Sequence, residues 1–515
     1  MTAIAVDSKT LWDIASERAA LSGNRRMLAD LYGAEMTFGE VIARAEQVAA
    51  GLYALGIGPG TRVSWQMPTC PDAVVLMLAL ARLGAWQNPL VTVYRAREIS
   101  SVLDQFQPSL FIVIPEWRGF DHAAMVHELV AERRDVNGAP INVLALSEPL
   151  PVGDPATLPP PPSSAEDVRW VYTTSGTTAQ PKCARHRDRS LIAAGEAMVH
   201  IGSLTEADIG SVAFPIPHIG GIMALSGYLI AGVSFLLIDP FVPDVAAAAM
   251  KAHGVTQAGG GTAHYIAMIN EQRKNPDVPI VPTLRAMIAG GGPKPPDVFF
   301  DLRDLVHARA VHGLGMTECP YLTSGVYTDT DEQLAYTDGL PLPGNEIILR
   351  DGDGNVVPAG EVGEIYVRSP MLCDGYLDAE MTAAAFTADG FYRTGDLGRF
   401  RDDGRLQVTG RVKDVIIRKG ENISALDVEL VVREFPGIAD VAIIGVPDVD
   451  RGERVCAVVE LSPGATAPTL VALREHCVAR GLMTQKIPEQ LEVLEALPRN
   501  AFLKVMKPEL RKIFC

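Results

Sequence analysis

The chain lacks the cysteine spacing of a disulfide framework or a zinc site. Its seven cysteines are odd in number, dispersed and without a Cys-x-x-Cys pair. They are Cys70, Cys183, Cys319, Cys373, Cys456, Cys477 and Cys515. This pattern favours reduced thiols. The first residues also lack the basic and apolar regions of a signal peptide, so we expect a cytoplasmic protein.

The chain also lacks an excess of positive charge. Its 45 Lys and Arg residues face 62 Asp and Glu residues, which gives a net charge of −17 over 515 residues. This acidity argues against broad binding to nucleic acid or to an anionic membrane. Any phosphate must therefore be held in a local site.

Long hydrophobic runs are scarce, and only one is long enough to be a candidate membrane span. Residues 219–238 contain no charge over a length that could span a membrane. Glycines interrupt this run, and Gly232 precedes the apolar residues 233–238. We therefore expect a turn at Gly232 into a buried strand, and no transmembrane span.

Short apolar runs alternate with helical patterns as far as about residue 325. Thr37 and Glu40 form a capping box before one such helix, and residues 62–67 and 109–114 are examples of the strands. This alternation predicts an α/β fold of doubly wound, largely parallel sheets. Glycine turns in 339–404 indicate a β-rich subdomain, and the residues after 410 indicate a small α+β domain.

The strongest local signal lies in 172–186, where Thr, Ser and Gly residues follow a strand and precede Lys182. Backbone N–H groups, hydroxyls and a lysine can together hold an anion, which indicates a polyphosphate cradle. A polar surface loop is the alternative for this segment alone. It is not a Walker loop, because no glycine precedes Lys182 and no Ser or Thr follows it.

Six segments carry a family resemblance: 172–182, 289–296, 312–318, 392–398, 410–423 and 497–511. In order and spacing they resemble the core motifs of the ANL superfamily of adenylate-forming enzymes, and within it acyl-CoA synthetases for fatty and alicyclic acids. The resemblance implies a large N-terminal AMP-binding domain over 1–410. It also implies a small, mobile C-terminal domain over 411–515.

The resemblance assigns ATP contacts to many residues. For the phosphates these are Thr174, Ser175, Gly176, Thr177, Thr178 and Lys182. Around the adenine they are Gly291, Gly292, Pro293, His312, Gly313, Leu314, Gly315 and Met316. Thr317 is expected to donate to the α-phosphate, Glu318 to hold Mg²⁺, Asp396 to bind the ribose and Arg411 to meet the nucleotide. Taken alone, Thr317 and Glu318 would more often begin a helix, and Asp396 would be a turn residue.

The C-terminal residues are expected to serve both chemical steps. Lys504 should stabilise the transition state in which a carboxylate attacks the α-phosphorus of ATP. Lys413 is the expected hinge, and Lys419, Gly420 and Glu421 should line the path of coenzyme A. Without the other motifs, Lys504 would instead belong to a solvated basic helix face.

The expected acyl pocket is apolar and rich in glycine. Its residues are His218, Gly220, Gly221, Gly260 and Ala289. An amino-acid substrate would need a buried partner for its ammonium group. We therefore expect a hydrophobic carboxylic acid, either a medium-to-long fatty acid or a bulky alicyclic or aromatic one. A phenylalanine at Gly221 should shorten the accepted acids. His218 has an equal alternative as a buried, hydrogen-bonded histidine.

The resemblance implies an AMP-forming acyl-CoA synthetase that uses ATP, Mg²⁺ and coenzyme A. It is also compatible with a homodimer. Two alternatives stay open. One is an acyl-AMP ligase that loads a carrier protein. The other is a weakly active ligand-binding homologue, because Phe502 and Leu503 stand where the family has small residues.

Overall fold

The computed structural model describes residues 4–174, 181–419, 421–499 and 504–515. It contains two compact units. The first consists of Met1–Glu346 and Arg368–Gly390, and the second of Ile347–Val367 and Phe391–Cys515. The β-rich residues 347–367 and 391–410 thus pack in the same unit as the C-terminal residues. The predicted domain boundary between residues 410 and 411 marks where the mobile domain is expected to begin, and it stays a prediction.

Strands and helices alternate along the first unit. Its strands are β1 Arg26–Asp30, β2 Glu35–Thr37, β3 Arg62–Gln66, β4 Trp86–Leu90, β5 Leu110–Val113, β6 Glu116–Trp117, β7 Phe120–Asp121, β8 Asn142–Ala145, β9 Val168–Thr174, β10 Lys182–Arg187, β11 Ile209–Val212, β12 Ser234–Leu237, β13 Gln257–Gly260, β14 Ala286–Gly290, β15 Arg309–Leu314, β16 Thr323–Ser324 and β17 Leu340–Pro341. Its helices are α1 Leu11–Ser22, α2 Phe38–Ala54, α3 Pro71–Leu83, α4 Ala96–Phe106, α5 His122–Val130, α6 Asp188–Gly202, α7 Ile219–Ala231, α8 Pro243–His253, α9 Thr262–Arg273, α10 Pro296–Asp301, α11 Asp331–Tyr336 and α12 Ala379–Ala385.

Two large sheets organise the first unit. One has nine strands in the order β17-β16-β15-β14-β13-β11-β12-β1-β2, and the other has six in the order β10-β9-β4-β3-β5-β8. The pairings from β1 to β15 across the larger sheet are parallel, and antiparallel strands stand at its edges. The predicted α/β class with doubly wound, largely parallel sheets is confirmed.

The charge-free run 219–238 is divided between a helix and a strand. α7 ends at Gly232, which has a left-handed φ of 74°, and β12 follows with every residue buried. The expected turn into a buried strand is confirmed. Among the described residues, no helix is long and apolar enough to cross a membrane.

The second unit contains two sheets, whose strands pair antiparallel except for one parallel pair. Its strands are β18 Glu346–Arg350, β19 Gly363–Arg368, β20 Tyr392–Phe400, β21 Leu406–Arg411, β22 Val415–Arg418, β23 Glu421–Ser424, β24 Ile438–Asp448, β25 Gly452–Leu461 and β26 Gln490–Leu494. Its helices are α13 Ala425–Arg433, α14 Leu470–Ala479 and α15 Lys507–Phe514. β18 to β21 form one sheet in chain order, and β22 to β26 form the other, in which β25 and β26 are the parallel pair. The β-rich region therefore extends past the predicted end at residue 404 to Arg411.

Candidate active site

The nucleotide-binding residues expected in the first unit follow the carboxyl ends of adjacent parallel strands. β13, β14 and β15 pair in register, with Gly260 opposite Ala289 and Gly290 opposite Gly313. Ligands of open α/β sheets bind in the crevice outside such strand ends. The structure therefore brings together residues that lie 29 and 23 positions apart in sequence.

The loop after β14 has the properties expected of an adenine-binding loop. Gly291 has a φ of 85°, which favours glycine, and a Cβ on Gly292 would meet no atom within 4 Å. The Gly292 carbonyl accepts a hydrogen bond from His312 Nε2 over 2.9 Å. The Pro293 carbonyl accepts one from Thr262 Oγ1 over 2.9 Å. The loop is thus held in place and leaves open space at Gly292 for a planar base.

The strands on either side of the expected phosphate cradle, β9 and β10, pair antiparallel as a hairpin. Thr174 at the end of β9 stands opposite Lys182 at the start of β10. Ser175, Gly176, Thr177 and Thr178 lie outside the described residues. The Lys182 ammonium lies 5.0 Å from the ring centroid of Tyr376, within the range of a cation–π contact.

Thr317 and Glu318 are fixed by neighbouring segments. His186 Nε2 donates to the Thr317 carbonyl over 2.8 Å, and the Cys373 amide donates to the Glu318 carbonyl over 2.7 Å. The Tyr376 hydroxyl donates to Glu318 Oε1 over 2.6 Å. Glu318 is only 8% exposed. The carboxylate is therefore held at one oxygen in a defined position.

Sequence reasoning missed His186 and Tyr376. Burial lowers the pKa of His186 to about 4, so this histidine is neutral near pH 7 and donates through Nε2. His186 closes the segment that carries the phosphate signal, but its partner Thr317 lies 131 residues away. Only the pairing of distant segments reveals these contacts.

The chemistry of Glu318 fits a magnesium ion that is shared with a nucleotide. Among the described residues there is no group of three or more His, Cys, Asp or Glu side chains that could hold a metal. Mg²⁺ commonly binds through one or two carboxylates together with substrate phosphates and water. One oriented carboxylate beside a phosphate hairpin fits that requirement.

The candidate acyl residues meet around a side chain that the sequence did not single out. A Cβ on Gly220 would lie 3.1 Å from Phe214 Cε2, and a Cβ on Gly259 would lie 2.9 Å from Phe214 Cε1. The Phe214 ring therefore stands between the start of α7 and the end of β13. His218 caps α7, and its Nδ1 accepts from the Gly220 amide over 3.2 Å.

Two of the predicted pocket glycines have close neighbours. A Cβ on Gly221 would lie 2.0 Å from the Ile216 carbonyl oxygen, and one on Gly260 would lie 2.7 Å from the ring of His264. Gly221 thus permits a close backbone approach within the fold. The expectation that a phenylalanine at Gly221 would only shorten the accepted acids is therefore wrong, because the backbone would have to move first.

Three candidate residues of the second unit are associated. Asp396 on β20 stands opposite Arg411 on β21, and Arg411 Nε donates to Asp396 Oδ1 over 2.5 Å. Much of the surface of Lys504 is accessible to solvent. Protein atoms around its ammonium group nevertheless desolvate it and lower its pKa. Arg411 lowers that pKa further, whereas Asp396 raises it. Lys504 therefore lies close enough to this ion pair to respond to both charges.

The expected hinge and coenzyme A residues lie beside turns of the same unit. Lys413 is in a 3₁₀ segment, Val412–Asp414, between β21 and β22. Lys419 and Glu421 are exposed at the β22–β23 turn, and Lys419 has a φ of 50°. Gly420, Phe502 and Leu503 lie outside the described residues.

Family models match most of the chain. The model described as "AMP-binding enzyme" matches residues 15–377, and "AMP-binding enzyme C-terminal domain" matches residues 427–504. Among solved structures, the chain is similar to ATP-bound MatB from Rhodopseudomonas palustris, with 27% identity and a TM-score of 0.88. That alignment covers 98% of this chain and 99% of the other.

Two relatives, both ligases by name, are equally similar to this chain in sequence. The 2-hydroxy-7-methoxy-5-methyl-1-naphthoate–CoA ligase of Streptomyces carzinostaticus is 32% identical, over 92% of this chain and 88% of the relative. The salicyl-AMP ligase / salicyl-S-ArCP synthetase of Mycobacterium tuberculosis is also 32% identical, over 92% of this chain and 84% of the relative. The chain belongs to the AMP-binding enzymes of the ANL superfamily and is an AMP-forming acid–thiol ligase.

Proposed function

We propose that this enzyme activates a hydrophobic carboxylic acid with ATP and transfers the acyl group to coenzyme A. The observation that carries the proposal is the oriented Glu318 carboxylate, four residues after the end of β15. Tyr376 contacts both this carboxylate and the ammonium of Lys182. A reaction that handles a magnesium-bound triphosphate needs such a pair of opposite charges.

In the first step, a carboxylate oxygen of the acid attacks the α-phosphorus of ATP. The bond from that phosphorus to the bridging oxygen breaks, and pyrophosphate leaves with its electron pair. We assign the departing phosphates to Thr174 and Lys182 and the α-phosphate to Thr317. Glu318 would hold Mg²⁺, which would neutralise phosphate charge when bound.

The second unit supplies the remaining charges in this proposal. Asp396 accepts the two hydroxyls of the ribose, and Arg411 keeps the Asp396 carboxylate in position. Lys504 stabilises the negative charge that develops on the attacking and bridging oxygens. The desolvation that lowers the pKa of Lys504 also reduces the hydration of its ammonium, so the charge interacts more strongly with a phosphoryl group.

The proposed acid is hydrophobic because the start of α7 presents apolar atoms. Residues 219–231 contain no charge, and Phe214 separates Gly220 from Gly259. A ring could pack against the face of Phe214. Both characterised relatives take aromatic acids by their names, so an aromatic or alicyclic ring acid is the first choice over a fatty acid.

In the second step, the coenzyme A thiol loses its proton to solvent and its sulfur attacks the acyl carbonyl carbon. The bond from that carbon to the phosphate oxygen breaks, and AMP leaves with the electron pair. We assign the pantetheine path to Lys419, Gly420 and Glu421, and the movement between the two steps to Lys413. A cytoplasmic location is proposed with this function, since all seven cysteines are free thiols.

Pyrophosphate release tests the function directly. The enzyme is incubated with ATP, Mg²⁺ and a panel of benzoic, naphthoic, cyclohexanecarboxylic and fatty acids, with and without coenzyme A. We expect release to depend on a hydrophobic acid and an acyl-CoA product to form only with coenzyme A. Release with none of these acids would refute the proposal.

A carrier protein is the second candidate acceptor. The relative from Mycobacterium tuberculosis is named for loading an aryl carrier protein and has the same identity as the CoA ligase. In that case acyl-AMP would form and stay bound in the presence of coenzyme A. Mass spectrometry of an added aryl carrier protein would then show the acylated phosphopantetheine arm.

A further inference from the structure

Tyr376 contacts two charged side chains of opposite sign. Its hydroxyl donates to Glu318 Oε1 over 2.6 Å, and its ring centroid lies 5.0 Å from the Lys182 ammonium. The Tyr376 side chain is 1% exposed and Glu318 is 8% exposed, so their hydrogen bond is shielded from water, whereas Lys182 is half-buried. Charge-assisted hydrogen bonds and cation–π contacts are stronger when they are desolvated.

The backbone around Tyr376 is fixed on two sides. Tyr376 forms an isolated β-bridge with Ala184 of β10, and its amide donates to Thr382 Oγ1 over 2.9 Å. The neighbouring Cys373 amide donates to the Glu318 carbonyl. The backbone that carries the phenol is therefore fixed against both β10 and the segment of Glu318.

The hydroxyl of Tyr376 acts on Glu318, and its ring acts on Lys182. By donating to Oε1, the hydroxyl fixes the rotation of the Glu318 carboxylate. Among the described residues, no hydrogen bond reaches the other oxygen, Oε2. The ring gives the Lys182 ammonium an aromatic face, which limits the positions of its flexible stem.

We propose that Tyr376 is a positioning residue that orients Glu318 for a divalent cation through its hydroxyl and orients Lys182 for a polyphosphate through its ring. This inference rests on the proposed nucleotide site, but it does not depend on which acid or thiol the enzyme uses. A group that supports a metal ligand typically changes metal affinity by about 10- to 100-fold.

The first test removes only the hydroxyl. Tyr376→Phe keeps the ring beside Lys182 and should weaken Mn²⁺ binding to the complex with a non-hydrolysable ATP analogue by about 10-fold, as measured by electron paramagnetic resonance. Binding of the same analogue in EDTA should stay within about 2-fold of wild type, because the phosphate lysine is still oriented.

The second test removes the ring as well. Tyr376→Leu should weaken analogue binding in EDTA by at least about 3-fold, in addition to the loss of Mn²⁺ affinity. Tyr172→Phe is the matched control, since Tyr172 faces Ala184 from the other side of β10. Its buried hydroxyl has no hydrogen-bond partner among the described residues, so neither affinity should change.

A third variant keeps the test decisive if the Tyr376 variants fold poorly. Glu318→Asp retains the charge but withdraws the carboxylate from the Tyr376 hydroxyl, and it should lower Mn²⁺ affinity without changing binding in EDTA. Equal losses with and without metal in Tyr376→Phe, or wild-type Mn²⁺ affinity, would overturn the proposal. If instead no acid supports pyrophosphate release, the proposed function fails while these binding results stand.

Discussion

Asp396 and Arg411 face each other across β20 and β21, and their side chains form an ion pair with Arg411 Nε 2.5 Å from Asp396 Oδ1. Asp396 is 4% exposed, whereas the Arg411 side chain is 44% exposed, so a half-exposed guanidinium holds a buried carboxylate. The carboxylate is thereby presented in one orientation, as recognition of a diol requires.

Asp396→Asn should weaken ATP binding by about 10- to 100-fold, because hydrogen bonds to a charged group contribute about 1.5 to 3 kcal/mol. Isothermal titration with ATP measures the change. Asp402→Asn, at an exposed position between β20 and β21, is the matched control and should bind ATP as wild type does. Equal affinities of Asp396→Asn and wild type would remove Asp396 from the site.

Lys504→Ala should lower the rate of acyl-AMP formation by about 100- to 1000-fold, because a charge aimed at the transition state is lost. Thioester formation from supplied acyl-AMP should be largely retained. The two half-reactions are measured separately by pyrophosphate release and by acyl-CoA yield. Lys512→Ala is the control, since Lys512 is exposed and pairs with Glu509. Equal losses in both half-reactions would make Lys504 structural.

Lys413→Pro should spare adenylation and impair thioester formation, since proline fixes φ in the segment between β21 and β22. Lys413→Ala, which keeps the backbone free, should retain both half-reactions. Single-turnover measurements with preformed acyl-AMP separate the effects. Normal coenzyme A turnover by Lys413→Pro would exclude the hinge.

Gly221→Ala should destabilise the first unit by about 1 to 3 kcal/mol, because the added Cβ would lie 2.0 Å from the Ile216 carbonyl oxygen. Thermal denaturation checks this as a lower Tm. Gly58→Ala is the control, because a Cβ there would meet no atom within 4 Å. An unchanged Tm for Gly221→Ala would show that the turn before α7 moves without cost.

Acid should destabilise the protein between pH 6.5 and about pH 4. Burial lowers the pKa of His122 to about 4, from an ordinary value of 6.5. The unfolded state therefore binds more protons in this window, and the free energy of unfolding decreases as pH falls. His122→Leu should reduce the loss by roughly 1 to 3 kcal/mol. Urea titrations at pH 7 and pH 5 compare wild type and variant; an identical pH dependence would contradict the assignment.

The sequence predicted local features well, because short-range patterns determine them. The capping box of Thr37 and Glu40 opens α2, as expected, and the turn at Gly232 separates α7 from β12. The motifs after β14 and β15 also lie at strand ends, where the alternation of strands and helices predicts a ligand site.

Contacts between distant segments could not be predicted in this way. The Tyr376 hydroxyl reaches Glu318 across 58 residues of sequence, and Phe214 meets glycines on both α7 and β13. Such contacts depend on strand order and side-chain packing, which hydrophobic periodicity does not encode. The close approach at Gly221 was missed for the same reason, because the sequence does not show whether a glycine faces open space or packed backbone.

The order of the larger sheet places the earliest strand beside a late one. β1, at Arg26–Asp30, pairs in parallel with β12, at Ser234–Leu237, which the ribosome adds about 200 residues later. At ordinary synthesis rates of 5 to 20 residues per second, the start of the chain waits roughly 10 to 40 seconds for its partner. During that interval one edge of β1 pairs with β2, which follows it directly in the chain, while the other edge has no partner until β12 is made.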